Sequence, residues 1–368
     1  MNNYFKVIRS GINTTFQDNG RYNLNHIGIP GSGAIDERNY RLANSILGNK
    51  SNLPAFEFAY QGPLLKYYGT SINIVVTGDV IFKLKKKDKI LDGNCYESYS
   101  LEGGDEIDII STNKSVYGYL AISGDLNLKT QWGSYSINTK ANIGSNKGKK
   151  LENDQIINIT KINFNKFEKK LKYMNIKIEK IRVLKGTNFD YFSEEAKIIF
   201  FEKEFIVSKL SDRMGMRLEG PKLENIIDTN IKSEGLIKGV IQVPADGNPI
   251  IMLSDHGTIG GYPKIAVVIS ADYDKIVQLS PGTKVKFKLI DLKEAENLYK
   301  LYKLETENIL LYGLYELMKL YLNLVFQPKV ALGESFPRKL FHLMNYQMKN
   351  IQWFSLLAVF LNIGILER

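Results

Sequence analysis

The residues able to do chemistry in this chain gather in three glycine-rich stretches. The first, TTFQDNGRYNLNHIGIPGSGAID from Thr14 to Asp36, threads Gln17, Asp18, Arg21 and His26 among Gly20, Gly28, Gly31 and Gly33. The second is SDRMGMRLEGP (Ser211–Pro221), followed by SEGLIKGVIQVPADGNP (Ser233–Pro249); the third is SDHGTIGGYPK (Ser254–Lys264). Glycine lets backbone N–H groups approach a ligand closely, and charged side chains beside it can orient one. Arg213 and Arg217 carry the planar fork that clamps a carboxylate or phosphate, and they are equally able to pair with Asp212, Glu219 or Glu234. Asp18 and Arg21 suit either a ligand or the tying of the Gly20 turn. His256, next to Asp255, suits either a loop hydrogen bond or acid–base work. Each stretch alone is a weak signal, but three in one chain point to a built pocket.

Several other chemistries lack their residues. The nearest string to a phosphate loop, GSNKGKK from Gly144, has the wrong spacing. GSGAID from Gly31 follows a proline-broken strand and lacks the third glycine of a dinucleotide loop. His26, His256 and His342 are far apart in the chain and form no ligand-spaced cluster, so no metal site is expected. No Gly-x-Ser-x-Gly elbow motivates a serine hydrolase. The net charge of +10 comes from lysine runs such as KLKKKDK around Lys83, without arginine and stacking aromatics on one surface, so nucleic acid is not an expected partner. The single cysteine, Cys95, excludes an intramolecular disulfide and reads as a small strand residue. The opening MNNYFKVIRSG lacks the apolar run of an export signal, and a cytoplasmic location is expected.

The scaffold that must position these residues reads as mainly β. SINIVVTGDVIFKL (Ser71–Leu84) and SVYGYLAISGDL (Ser115–Leu126) alternate apolar and polar residues in short runs and read as strands broken by Gly-Asp turns. One helix interrupts them, with Asp36 as its N-cap, Leu42, Ala43, Ile46 and Leu47 as its buried stripe and Gly48 as its stop. LEGGDEIDI (Leu101–Ile109), LENDQIINI (Leu151–Ile159) and LSPGTKVKF (Leu279–Phe287) repeat one pattern of leucine, tight polar turn and alternating strand. Antiparallel barrels are built from such units. The expected organisation is an N-terminal β-rich domain over 1–165, a lysine-rich junction over 166–180, a C-terminal barrel-like domain over 181–295 and a helical apolar tail over 305–368. A short helical piece is expected at ADYDKIVQL. The tail reads as a helical pair docked on the domains or on a partner. Its run IQWFSLLAVFLNIGIL is short against the roughly 20 residues of a membrane span, which leaves membrane association as the secondary reading.

In order, TTFQDNGR, GIPGSGAID, RLANSILGN with Glu57 beyond it, SDRMGMRLEG, SEGLIKGVIQVPADGNPI and GGYPKIAVVISAD resemble the biotin-dependent carboxyltransferase family. The family is also called allophanate hydrolase subunit 2 and includes the C subunit of 5-oxoprolinase; the resemblance covers roughly residues 4–295. It implies a mainly β, cyclophilin-like, β-barrel-rich fold of two domains with few short helices. It also implies work beside two partners, the paired β-rich B subunit and the third, A subunit, in the ATP-dependent opening of 5-oxoproline to glutamate. ATP would serve the complex, and biotin is not expected. Fused relatives use the same module as the carboxyltransferase of urea carboxylase, which is the alternative activity; another relative is a regulator, an antagonist of a sporulation kinase inhibitor. The enzymatic versions share a poorly reactive amide, which needs donors for a developing oxyanion and a base for one proton.

Carried onto this chain, the resemblance implies Arg213 or Arg217 for the substrate's anionic group and Glu234 or Asp18 as the proton carrier. Backbone donors near Gly260 and Gly261 would face the oxyanion, with Gln17, Arg21, Ser32, Gln242 and Tyr262 binding substrate. The family commonly reads Asp-x-Gln-Thr-Thr before the last glycines, where this chain has Asp255-His256-Gly257-Thr258-Ile259.

Overall fold

Strands of two kinds build the first half of the chain. Ile72–Thr77 and Tyr117–Ile122 are buried along their whole length, as central strands covered on both faces must be. Val80–Lys86 alternates buried and exposed residues, with its lysines outward. The computed structural model describes residues 2–307 apart from 88, 167–168, 172, 174–179 and 228–229. One antiparallel sheet of seven strands runs in the order Gly124–Leu126, Ile156–Ile162, Asn3–Arg9, Leu64–Tyr68, Glu106–Thr112, Val80–Lys86, Lys89–Asp92. A second, of five strands, runs Asn13–Gln17, Ala55–Ala59, Tyr117–Ile122, Ile72–Thr77, Ser98–Leu101. Phe5, Phe16, Phe56, Phe58, Phe82 and Ile107 fill one core between them.

The second half is an eight-stranded sheet in the order Lys284–Val285, Phe205–Val207, Gly215–Glu219, Ile250–Met252, Val240–Gln242, Lys264–Val268, Ile181–Lys185, Phe287–Leu289. Its two end strands are separated in the chain only by Lys286, so the sheet curls almost into a closed barrel. The fold is mainly β, as the alternating pattern requires. The three repeated turns all open strands, and each closes on itself: Asp105, Gln155 and Thr283 return backbone N–H bonds of 3.0, 3.4 and 3.0 Å to the carbonyls of Glu102, Glu152 and Ser280.

The helix Glu37–Leu47 is capped as its sequence predicts. Asp36 accepts the Asn39 N–H at 3.0 Å, and Gly48 takes the left-handed conformation at φ 70°. Leu42, Ala43 and Ile46 are buried against Val75, Tyr119 and Ala121 of the five-stranded sheet. A short helix at Ser270–Ile276 matches the expected piece, whereas Glu194–Glu202, capped by Ser193, went unpredicted. Described residues 292–307 form a further helix whose Ala295, Leu298 and Tyr302 pack on Ile269, Ala271 and Ile290. The apolar tail expected over 305–368 lies outside the described residues from 308 onward.

The two halves share a seam. Ile35, Ala59, Val116 and Tyr117 of the first half pack into the core of the second, beside Phe192, Ile241 and Val268. Gln278 stitches across it: its Oε1 accepts the Val116 and Tyr117 N–H groups at 3.0 and 2.9 Å, and its Nε2 donates to Asp36 at 2.6 Å. One local expectation needs correction. Cys95 sits in a turn rather than a strand, half-buried against the first core, and burial pushes its thiol up to about 11. Lys169, Lys170 and Leu171, from the lysine-rich stretch, dock on the edge at Ser98 and Glu97 because Leu171 is buried beside the helix Glu37–Leu47.

Candidate functional site

At the seam lies a cavity of about 440 Å³. Its walls come from all three glycine-rich stretches: Asp18 to Ala34 from the first, Leu236, Ile237 and Lys238 from the second, and Ser254 and His256 from the third. A smaller cavity of about 170 Å³ adjoins it, sharing Glu37 and Lys238.

The first wall is a loop folded back on itself. Gly20 and Gly33 have φ of 86° and 91°, and a methyl group on either would meet the opposite arm's backbone within about 3 Å, so glycine is required at both. Asp18 anchors the loop: its carboxylate accepts the Ser134 and Ser136 hydroxyls and the Gly20 and Tyr135 N–H groups. With four donors bound, this carboxylate positions the loop, and the expected proton-carrying role does not suit it. Arg21 donates Nε and Nη2 to the carbonyls of Gln131 and Ser136, while its Nη1 is buried with no partner. Burial lowers the pKa of Arg21, which Asp18 and Asp255 oppose. Ser32, in the left-handed region at φ 54°, likewise has a buried hydroxyl with no partner. Both residues line the cavity, and each leaves a donor buried without a protein partner, which is costly.

Arg213 holds the three stretches together and is not a substrate clamp. Its Nε and Nη2 grip Asp255 at 2.9 and 3.1 Å, Nη2 also donates to the Gly33 carbonyl at 2.7 Å, and Nη1 pairs with Glu57. Glu57 in turn accepts the Ile35 N–H at 2.8 Å and the Tyr119 hydroxyl at 2.7 Å. Arg213 is 7% exposed and all its nitrogens are engaged, so no fork remains for an anion. Burial opposes its charge, but Asp255 and Glu57 outweigh burial and hold the guanidinium protonated. The pairing candidates nearer in sequence go elsewhere: Asp212 approaches Lys140 at 3.8 Å, and Glu219 accepts the Ser208 hydroxyl.

His256 lines the same cavity. Its Nδ1 lies 2.6 Å from the Gly257 carbonyl, which fixes Nδ1 as the donor and leaves Nε2 as a lone-pair acceptor in the neutral ring. Burial lowers its pKa, with Lys238 adding to the effect and Gly257 and Asp255 opposing it, so the imidazole is neutral at pH 7. Lys238, unremarked in the sequence, lines the same cavity and places its ammonium 4.4 Å from the centre of the Tyr273 ring.

The remaining expected residues form a separate group. Glu234 pairs with the buried Lys264 at 3.0 Å, and this bond lowers its pKa, making it a poor proton acceptor. Lys264 and Gln242 both donate to the Tyr262 carbonyl at 3.3 Å. Gly260 pairs with Glu234 across a two-stranded sheet, and a methyl group on it would lie 2.6 Å from the Gln242 amide nitrogen. A methyl on Gly261 would lie 3.1 Å from the Ile231 carbonyl. Leu236 stands between this group and the cavity, lining the latter while packing on Gly260. Gln17 is wholly buried, donating to Thr15 and to the Ile137 carbonyl at 2.9 and 2.8 Å, and Arg217 is exposed on the strand Gly215–Glu219. Neither lines the cavity. Among the described residues, no three His, Cys, Asp or Glu side chains are placed to share a metal ion.

The chain as a whole is similar to known proteins. The chain matches the family described as carboxyltransferase domain, subdomain A and B, over residues 27–289. It is 32% identical to the C subunit of 5-oxoprolinase from Escherichia coli (strain K12), over 79% of this chain and 92% of that protein. It is 28% identical to the urea amidolyase of Lachancea kluyveri, over 80% of this chain and 17% of that one. Among solved structures, the Kluyveromyces lactis urea carboxylase superposes with a TM-score of 0.77 at 28% identity, over 83% of this chain and 29% of that one. The chain thus spans most of the bacterial protein's length and less than a third of the fungal enzymes. With its family match across both halves and the seam, the protein belongs to the carboxyltransferase domain family, subdomains A and B.

Proposed function

We propose that the chain is the C subunit of an ATP-dependent 5-oxoprolinase, handling the lactam in the seam cavity while the partner B and A subunits complete the enzyme. The observation that carries this is the pairing, in one cavity, of an unsatisfied buried guanidinium with a neutral buried histidine. A small acid that also contains an amide needs both. Arg21 and Ser32 would take its carboxylate, and His256 would accept a proton from attacking water through Nε2. Lys238 adds positive potential near the reacting end. ATP supplies the phosphoryl group that makes the amide carbonyl a better electrophile; biotin has no part in this reaction. Overall, 5-oxoproline, ATP and two waters give glutamate, ADP and phosphate.

Coverage of 92% of a bacterial 5-oxoprolinase component supports this assignment over the fungal enzymes. The likeness to urea carboxylase favours a second reading, in which the cavity presents urea nitrogen to a carboxyl donor. The two are separated by assembling the chain with its candidate B and A subunits and assaying both reactions. Release of glutamate from 5-oxoproline that needs ATP and no bicarbonate is expected. Turnover of urea dependent on biotin and bicarbonate, without glutamate release, would replace this reading with the second. A stable complex that turns over neither substrate would point to a regulator.

A further inference from the structure

Two cations line the larger cavity in different surroundings. Arg21 is buried, tied by two of its nitrogens to backbone carbonyls, with its third nitrogen and the neighbouring Ser32 hydroxyl left without partners. Lys238 makes no ion pair among the described residues and rests instead against the face of Tyr273 at 4.4 Å. Two carboxylates stand in the same surroundings: Glu37 lines both cavities with Lys238, and the buried Asp274 feels its charge while taking hydrogen bonds from the Glu37 and Arg38 N–H groups and the Tyr302 hydroxyl. Neither closes an ion pair with Lys238, and a ring face steadies an ammonium without neutralising it, so this charge can serve a negative ligand. The two cations also come from different stretches of the chain, so one ligand touching both spans the cavity from wall to wall. At about 440 Å³, the space exceeds what one small ring requires and leaves room for an opened chain.

Opening a lactam acid redistributes the charge of the ligand: one carboxylate before the reaction becomes two carboxylates and an ammonium after it, the new carboxylate at the carbonyl carbon and the ammonium at the former ring nitrogen. We infer that Lys238 is a specificity-determining residue that receives the second negative charge, the one appearing where the ring opens, while Arg21 and Ser32 hold the carboxylate present throughout. This rests on the lactam-opening function above, and it names the ligand class as a short dicarboxylate. A preset cation aimed at charge that develops during reaction stabilises late species more than the starting lactam, so its loss falls on kcat. Arg21 meets the same carboxylate at every stage, so its loss falls on KM.

The test is isothermal titration of the full chain with glutarate and with butyrate, short acids that differ in having two carboxylates or one. Glutarate is expected to bind about tenfold more tightly than butyrate, and Lys238→Gln to bring the two within about twofold, since one charge-assisted contact is lost. Arg21→Met should weaken both by about tenfold or more. Lys238 is exposed at the backbone turn, so an unchanged melting temperature is expected for Lys238→Gln. Equal affinities in the wild type, a glutarate advantage that survives in Lys238→Gln, or no detectable glutarate binding overturns the inference. Titration needs neither ATP nor partner subunits, so its failure is distinct from a failure of glutamate release. In the assembled complex, Lys238→Gln should lower kcat by about tenfold with KM within about twofold.

Discussion

Arg213→Ala removes the clasp of the site, and its cost can be worked from the contacts. The substitution deletes two hydrogen bonds to Asp255, one to Glu57 and one to the Gly33 carbonyl. It leaves two carboxylates, 4% and 2% exposed, without their cation. Removing one partner of a buried pair costs about 3–5 kcal/mol, because the uncompensated charge stays buried. The upper end of that range applies here, since a single arginine serves both acids. For a domain of this size each kcal/mol moves the melting point by roughly 2–4 °C, so a fall on the order of 10 °C is expected. The loss also depends on pH. Burial already raises the pKa of Glu57, and Arg213 opposes that rise; without the arginine its folded-state pKa goes higher still. The variant's folded state then binds a proton that the unfolded chain releases, so its stability recovers as pH falls. The assay is urea denaturation of both proteins at pH 8 and at pH 5.5, with the deficit expected to shrink at the lower pH. A deficit below about 1 kcal/mol at pH 8, or one unchanged between the two pH values, would refute the clasp. Glu57→Gln added to Arg213→Ala should recover part of the loss, which a merely packing role for the arginine would not predict.

Three further outcomes follow from individual contacts. The acid limb of kcat/KM should fall below the ordinary histidine value, because burial lowers the His256 pKa, and activity should be lost as His256 protonates; His256→Asn should remove the limb along with most turnover. Gly33→Ala forces a side chain into φ 91° against the Gly20 backbone, and strain of about 1–3 kcal/mol should show as a lower melting point with weakened carboxylate binding. Glu234→Gln removes a 43% exposed carboxylate but leaves the Lys264 ammonium, 4% exposed, with a neutral partner, so it should cost about 1–3 kcal/mol and leave kcat per folded molecule within about twofold of wild type.

Local structure was largely legible in the sequence. The helix Glu37–Leu47 followed from Asp36, its apolar stripe and Gly48, and the three repeated turns each opened a strand, because those signals act over a few residues. The meeting of the three glycine-rich stretches at one cavity was also foreseen; of the residues expected there Asp18, Arg21 and Ser32 line it, whereas Gln17, Arg213, Arg217, Glu234, Gln242, Gly260, Gly261 and Tyr262 do not. What sequence did not disclose is pairing at long range. Arg213 had acidic neighbours at hand, yet its partners are Glu57, on a strand of the other half, and Asp255, brought in by the turn after Ile250–Met252. Lys264 pairs with Glu234, a residue that read as a base, and Lys238 looked like any solvent-facing lysine until the fold set it beside Tyr273. Ser134 and Ser136, the partners of Asp18, lie in a stretch with no distinguishing motif. Charged side chains choose partners by where the backbone carries them, and a barrel folded against a two-sheet half carries them far.

The most direct test of the central claim, that lactam chemistry occurs between Arg21 and His256, compares glutamate release by the assembled complex carrying His256→Asn with that carrying Glu234→Gln. Near-complete loss in the first and near wild-type rates in the second are expected. Full activity in His256→Asn, with loss in a properly folded Glu234→Gln, would move the chemistry to the Lys264 group and contradict the account.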